Sequence, residues 1–147
     1  MIFRDATRAD VPAIVALLAD DPLGAGREGA GPDAYLAAYD EIAANPVHQL
    51  IVGEADGTVI ACAQLTVVTG LSRRGARRAL VEGVRVSGNH RSMGIGAKLM
   101  AECEARARAA GAGVLQLTTD KSRLRAHQFY EKLGFAPSHI GMKKLLV

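Results

Sequence analysis

The chain has no tryptophan, and its 147 residues include only three phenylalanines and three tyrosines. With aromatics at 4%, the core must be aliphatic, and the basic–aromatic interleaving used to grip single-stranded nucleic acid is missing. Cysteine is scarce too. Cys62 and Cys103 fall in different expected elements, so neither a disulfide framework nor a metal-spaced pair is expected. No excess of one charge stands out: 18 Lys and Arg against 15 Asp and Glu leave +3, too mild to argue for a nucleic-acid partner. The longest clean apolar run, Ala13 to Ala19, cannot span a bilayer, so no membrane partner is expected. The opening "MIFRDATRAD" carries charge at once and has no apolar h-region, so no signal peptide is read and a cytoplasmic location is expected.

What is present suits one globular domain over residues 1–147, at 49% hydrophobic and 22% charged residues, with no internal repeat or low-complexity linker. Met1 to Arg4 reads as a first strand. Thr7-Arg8-Ala9-Asp10 matches a capping box ahead of a helix with Val11, Ile14, Val15, Leu17 and Leu18 as its stripe. Asp20 to Asp33, rich in Gly and Pro, reads as a loop, and a second helix runs from about Asp33 to Ala44 before Asn45-Pro46. "HQLIVGE" and "TVIACAQLTVV" flank the turn pair Asp56-Gly57, a hairpin signal. Val59, Ala61, Ala63, Leu65 and Val67 should share one face of the second strand, and "ARRALVEGVRVS" adds a third member. A helix with Ile95, Leu99 and Cys103 follows, ended by Gly111 to Gly113. Then come a strand "VLQLT", a helix with Ala126, Phe129, Tyr130 and Leu133 inward, and a last strand over about Ser138 to Leu146. The order β-α-α-β-β-β-α-β-α-β gives an α/β class with a mixed central sheet and helices on both faces.

Chemistry concentrates where "VRVS" runs into Arg91-Ser92-Met93-Gly94-Ile95-Gly96 at the start of a helix. The first amides of a helix have no internal partners, and the helix dipole is positive there. Glycines permit a tight bend and close approach of a ligand, so the turn can aim several N–H donors at a pyrophosphate with Arg91 adding charge. The bland alternative is a glycine-softened strand-to-helix turn. Two familiar phosphate loops do not fit: Leu99 stands where a dinucleotide fingerprint needs its third glycine, and no Gly-Lys-Ser/Thr run exists.

Arg-x-x-Gly-x-Gly at this junction, with "VRV" before it and "FYEKLGF" some forty residues on, resembles the GNAT superfamily of acetyl-CoA-dependent N-acetyltransferases. The resemblance runs from "FRDATRADVPAIVALL" through "AHQFYEKLGF" to the closing strand. It implies a single-domain GNAT fold whose fourth and fifth strands, Ala79 to Ser87 and Val114 to Thr118, splay apart to admit acetyl-CoA as cosubstrate. The backbone of Val84, Arg85 and Val86 should pair with the pantetheine arm. The amides from Ser92 or Met93 through Gly94, Ile95 and Gly96 to Ala97 should hold the pyrophosphate, with Arg91 opening the turn. Arg123 stands where many members carry an asparagine that contacts the cofactor.

Acetylating an alkylamine means removing a proton whose pKa is near ~10.4, a cost of about 4.6 kcal/mol at pH 7. A carboxylate can take it, directly or through water. Glu82 is the candidate base, a position the family often uses. It alternates with Leu80, Val84 and Val86, so either a bulge near Gly83 re-aims it or it lines a wet cleft; an edge-facing or paired glutamate is the bland alternative. The leaving thiolate needs a donor. The resemblance implies Tyr130 as that acid, against a core tyrosine with a satisfied hydroxyl. An amide such as Val86's would serve the developing oxyanion.

The acceptor is expected to be a small-molecule primary amine such as a polyamine, amino acid or aminoglycoside-like compound. Asp20, Asp21, Glu28 and Asp33 suit a cation, and Tyr35 and Tyr39 stand near them. A protein amine, or a non-catalytic acyl-CoA-binding regulatory module, is the alternative. His48, His90, His127 and His139 lack metal-ligand spacing, so no metal is expected. Arg73, Arg74, Arg77 and Arg78 read as a solvated hairpin tip. The last strand and the meander edge could support a homodimer.

Overall fold

The structure, a computed structural model, describes residues 1–147. β1 (Ile2–Asp5), β2 (His48–Ala55), β3 (Thr58–Thr69), β4 (Arg77–Val86) and β5 (Ala112–Gln116) form one sheet in sequence order. The first four pair antiparallel, and β5 joins β4 in parallel. Helix α1 (Val11–Ala19) covers one face, where Ile14 and Leu17 pack on Val52 and Cys62. Helices α5 (Ile95–Ala109) and α6 (Leu124–Lys132) cover the other face. There Leu99, Met100 and Cys103 pack on Ile51, Leu65 and Val81, joined by the partly buried Phe129 and Tyr130. α2 (Pro22–Arg27), α3 (Pro32–Ala44) and the single turn α4 (Ser72–Gly75) complete the chain. The core is aliphatic, as the composition requires.

Local chemistry explains most element ends. Thr7 donates its backbone N–H to the Asp10 carboxylate at 2.7 Å, closing a 3-10 turn that leads into α1. Asp56 and Gly57 take φ of 51° and 75°, the two left-handed residues of a tight hairpin turn. In β3, Ile60 is an extra residue, since Gly53 pairs with Ala61 and Glu54 with Val59. Ile60 and Ala61 both enter the large cluster, and Val59 packs on the α1 side rather than with Ala61, Ala63 and Leu65 as the alternation suggests.

Two element assignments fail. Asp20 to Asp33 is not all loop. Asp21 accepts the Gly24 amide at 2.6 Å and Pro22 opens α2, an N-cap and N1 pair that the sequence displays. The last strand over Ser138 to Leu146 does not form. This stretch runs past Thr118 beyond the end of β5 and joins no ladder, and Ile140, Met142, Leu145 and Leu146 remain exposed. Alternating apolar residues become a strand only where a partner supplies hydrogen bonds.

Gly24 fixes how α2 seats on α1. A Cβ there would stand 1.8 Å from the Leu18 carbonyl oxygen, an approach only glycine allows. Gly24→Ala is therefore expected to cost about 2 kcal/mol of stability, read as a lower urea midpoint. An unchanged midpoint would show that α2 can shift freely.

Candidate functional site

The two strands that matter part company halfway. β5 pairs with β4 only from Arg77↔Ala112 to Leu80↔Gln116, while β4 continues along β3 to Val86. Beyond Leu80 the far edge of β4 is therefore open. A cleft of about 500 Å³ lies against this edge, lined by Asp21, Pro22, Leu23, Val84, Arg85, Val86, Arg91, Ser122 and Arg123. A second, smaller cavity of about 50 Å³ takes in Glu82, Gly83, Thr119 and Tyr130, and shares Val84, Arg85 and Arg123 with the first.

A bulge at Gly83 organises this edge. Gln64 pairs with Glu82 and Cys62 with Arg85, so Ala63 alone faces both Gly83 and Val84, and Gly83 takes φ of 61°. Before the bulge Ala79 and Val81 point into the core, and after it Val84 and Val86 do. Glu82 therefore does not share a face with Val84 and Val86, as simple alternation suggests. It shares the opposite face with Arg85, the face on which α1 packs, and it is exposed there. Of the two ways to account for a carboxylate here, the bulge is realised, and it places Glu82 at a cavity wall.

The bulge also sets the backbone. The Ser87 amide donates to the Ile60 carbonyl at 2.7 Å, so by strand alternation Val84 and Val86 turn their amides and carbonyls toward the cleft. Their carbonyls are taken: the Val84 oxygen accepts from Arg85 at 2.9 Å and the Val86 oxygen from Arg91 at 3.2 Å. Arg85 further sets its Nε 2.8 Å from the Asp21 carboxylate, and both side chains are nearly buried. The Nε–H and Oδ2 are close without being aligned as a hydrogen bond. Burial opposes a charge on Asp21. The Gly24 amide and the fields of Arg85 and Arg123 outweigh it and hold the carboxyl below its ordinary range.

At one end of the cleft comes the glycine turn. Ser92 and Gly94 take φ of 63° and 78°, folding the chain so that Gly94 caps α5. No protein acceptor takes the amides of Ser92, Met93, Gly94, Ile95, Gly96 or Ala97; the first amide used is that of Lys98, donating to the Gly94 carbonyl at 3.2 Å. These residues adjoin the cleft wall at Arg91 without lining the cavity themselves. The two glycines do different work. Gly94 supplies the left-handed cap, whereas a Cβ on Gly96 would press on the Phe129 ring at 3.2 Å, so Gly96 lets α6 pack close to α5. Arg91 is braced as well as placed: it donates to the Asp20 carbonyl at 2.7 Å and lies 3.5 Å from the Asp20 carboxylate.

Tyr130 sits edge-on between Phe129 and Phe135, at ring separations of 5.1 and 5.7 Å. Burial pushes its hydroxyl above the ordinary tyrosine value, against the opposing fields of Arg123 and Arg85. The hydroxyl therefore stays protonated through neutral pH, as an acid must.

Other candidates fare differently. Among the loop carboxylates, Asp20 faces Arg91, Asp21 faces Arg85, and Glu28 accepts from Tyr35 at 3.0 Å. Tyr39 donates to the Ala6 carbonyl and His127 bonds the Asp120 carbonyl through Nε2. Burial pushes the Cys62 thiol up to about 12 and the Cys103 thiol to about 11, so neither is a nucleophile at neutral pH. Ellman's reagent at pH 8 is expected to titrate neither thiol in the native protein and both in denaturant. Labelling in the native state would show that a cysteine opens to solvent. Sequence reasoning missed the Asp21–Arg85 pair, because its partners lie more than sixty residues apart and only the bulge brings them together.

An open strand edge beside a row of free helix-cap amides is the arrangement that the GNAT resemblance implies for binding acetyl-CoA. The acetyltransferase (GNAT) family model matches residues 12–135, and the chain belongs to that family. It is an acyltransferase of the GNAT fold, and the family uses acetyl-CoA. Among solved structures it is similar to a transcriptional regulator from Bacillus halodurans C-125, 38% identical with a TM-score of 0.95 over 99% of both chains. It is also similar to a putative acetyltransferase from Agrobacterium tumefaciens C58, 25% identical with a TM-score of 0.86 over 99% of both chains. The glucosamine-6-phosphate N-acetyltransferase of Arabidopsis thaliana shares the fold at 20% identity and a TM-score of 0.82, over 99% of this chain and 98% of that one. Among curated proteins the sequence finds no match. No helix is long and apolar enough to cross a membrane.

Proposed function

We propose that the protein transfers acetyl from acetyl-CoA directly to the primary amine of a small molecule, both substrates being bound at once. The observation that carries this reading is the row of six free amides, Ser92 to Ala97, beside the open edge of β4. Acetyl-CoA supplies the activated acyl group. The chain's own residues do the rest. The Ser92–Ala97 amides and the α5 dipole offset the diphosphate charge. The Val84 and Val86 amides hydrogen-bond the extended arm, and that of Val86 supports negative charge developing on the acyl oxygen. Glu82 receives the ammonium proton, directly or through water, and Tyr130 donates a proton to the departing sulfur.

Release of free thiol from acetyl-CoA across an amine library tests the reading. Turnover with at least one small amine is expected, and Glu82→Gln should lower kcat/KM by about 10²-fold at pH 7, with partial recovery at higher pH as the free amine becomes abundant. Tight CoA binding with no amine turned over would instead favour a non-catalytic acyl-CoA module. Turnover confined to peptides would favour a protein acceptor.

A further inference from the structure

The sheet has an edge without a strand, and the chain has a strand-like segment without a sheet. β5 pairs with β4 on one side and with no strand on the other, and Gly113 and Val114 on it are exposed. Such a row of unpaired amides and carbonyls is a ready template for another chain. After α6, the backbone of residues 139–147 makes no hydrogen bond to any other backbone group. Ile140, Met142, Leu145, Leu146 and Val147 are each at least 85% exposed. In an extended chain Ile140, Met142 and Leu146 fall on one side and Leu145 and Val147 on the other, which suits a strand with apolar contacts on both faces.

The segment starts beside the edge it would fit, yet does not take it. Gly141 passes Thr118 just beyond β5, where a Cβ on it would stand 3.4 Å from the Thr118 methyl carbon. An antiparallel return along its own β5 would carry the next residues back toward Gln116. Instead Lys143 lies near enough to Asp120 to help hold that carboxyl below its ordinary range, after the larger effect of Ser122. The tail thus stays at the end of β5 rather than running along it, and it presents its apolar side chains to water. One partner satisfies both halves at once. Every copy of the chain offers the same edge and the same tail, so a two-fold exchange closes with neither left over.

We propose that residues 140–147 of each copy add to the free edge of β5 in a second copy, so that the protein is a dimer held by two exchanged strands. The main-chain ladder fixes the register, and burial of the five apolar side chains drives association. β5 runs on into Leu117, Thr118 and Thr119, which wall the cavity of Glu82 and Tyr130, so the second copy borders the site.

Sedimentation equilibrium of the full chain should give twice the 15.4 kDa of one copy. Met142→Lys combined with Leu146→Lys should weaken the dimer by about 100-fold or more and leave the circular dichroism spectrum unchanged. A benzophenone side chain in place of Val114, in protein mixed from isotopically light and heavy copies, should crosslink to residues 140–147 of the other copy. That readout keeps the natural tail and does not depend on the double variant folding. A monomeric wild type would overturn the proposal. So would a dimer that survives both lysines in a folded protein, since its interface then lies elsewhere. Crosslinks confined to one copy would also overturn it, by showing that the tail closes on its own β5.

Discussion

Tyr130→Phe is expected to lower kcat by about 10²–10³-fold and to leave the fold intact. The ring is held by its contacts with Phe129 and Phe135, and phenylalanine keeps the same shape. Only the proton donor is lost, so acetyl-CoA affinity should change less than twofold. The wild-type rate should also fall on an alkaline limb as the tyrosine deprotonates. Burial raises that hydroxyl's pKa, so the limb should lie above the ordinary tyrosine value of about 10, and Tyr130→Phe should abolish it. A variant with near wild-type turnover would make Tyr130 a packing residue and move the acid to water or another group.

The second large effect concerns stability. Asp21→Ala is expected to cost about 3–5 kcal/mol, because it strands the nearly buried Arg85 guanidinium and removes the α2 cap together. Asp21→Asn keeps a side-chain oxygen for the Gly24 amide and should lose less. Replacing both partners, Asp21→Asn with Arg85→Met, should recover much of the loss, since no charge is then left buried alone. The carboxyl is held below its ordinary range in the folded state, so its contribution is present above the unfolded value near ~4 and fades as pH falls through the folded one. The Asp21→Ala penalty should accordingly shrink in strong acid. Equal urea midpoints for wild type and Asp21→Ala at pH 7 would show the pair to be incidental.

The fold was legible where local chemistry decides it. The Thr7–Asp10 box, the Asp56-Gly57 turn and the glycine-capped start of α5 all read directly from residue type and spacing. Long-range geometry was not legible. Plain alternation puts Glu82 with Val84 and Val86; a bulge near Gly83 is one of the two alternatives the sequence offers, and only the structure shows that it is realised and turns Glu82 to the face of Arg85. Gly96 reads as part of a phosphate turn, and the sequence does not show its second role, which is to leave room for the Phe129 ring of α6. The α2 helix was missed for a different reason. Four glycines and two prolines between Asp20 and Asp33 outweighed the Asp21-Pro22 start signal, although Gly24 is there to let the helix touch the Leu18 carbonyl. The closing strand was over-read, since sequence pattern cannot say whether a ladder partner lies within reach.

Chemical roles followed the same division. Glu82 and Tyr130 are forty-eight positions apart, and the splay of β4 from β5 brings both to one cavity wall.

The central claim is that backbone amides at the head of α5 receive the cofactor's diphosphate while its arm lies along the free edge of β4. A crystal structure of the protein grown with CoA tests this most directly. The account requires phosphate oxygens within hydrogen-bond distance of amides between Ser92 and Ala97, and the pantetheine against Val84 and Val86. CoA bound elsewhere, with those amides turned to solvent or to the protein's own carbonyls, would contradict it.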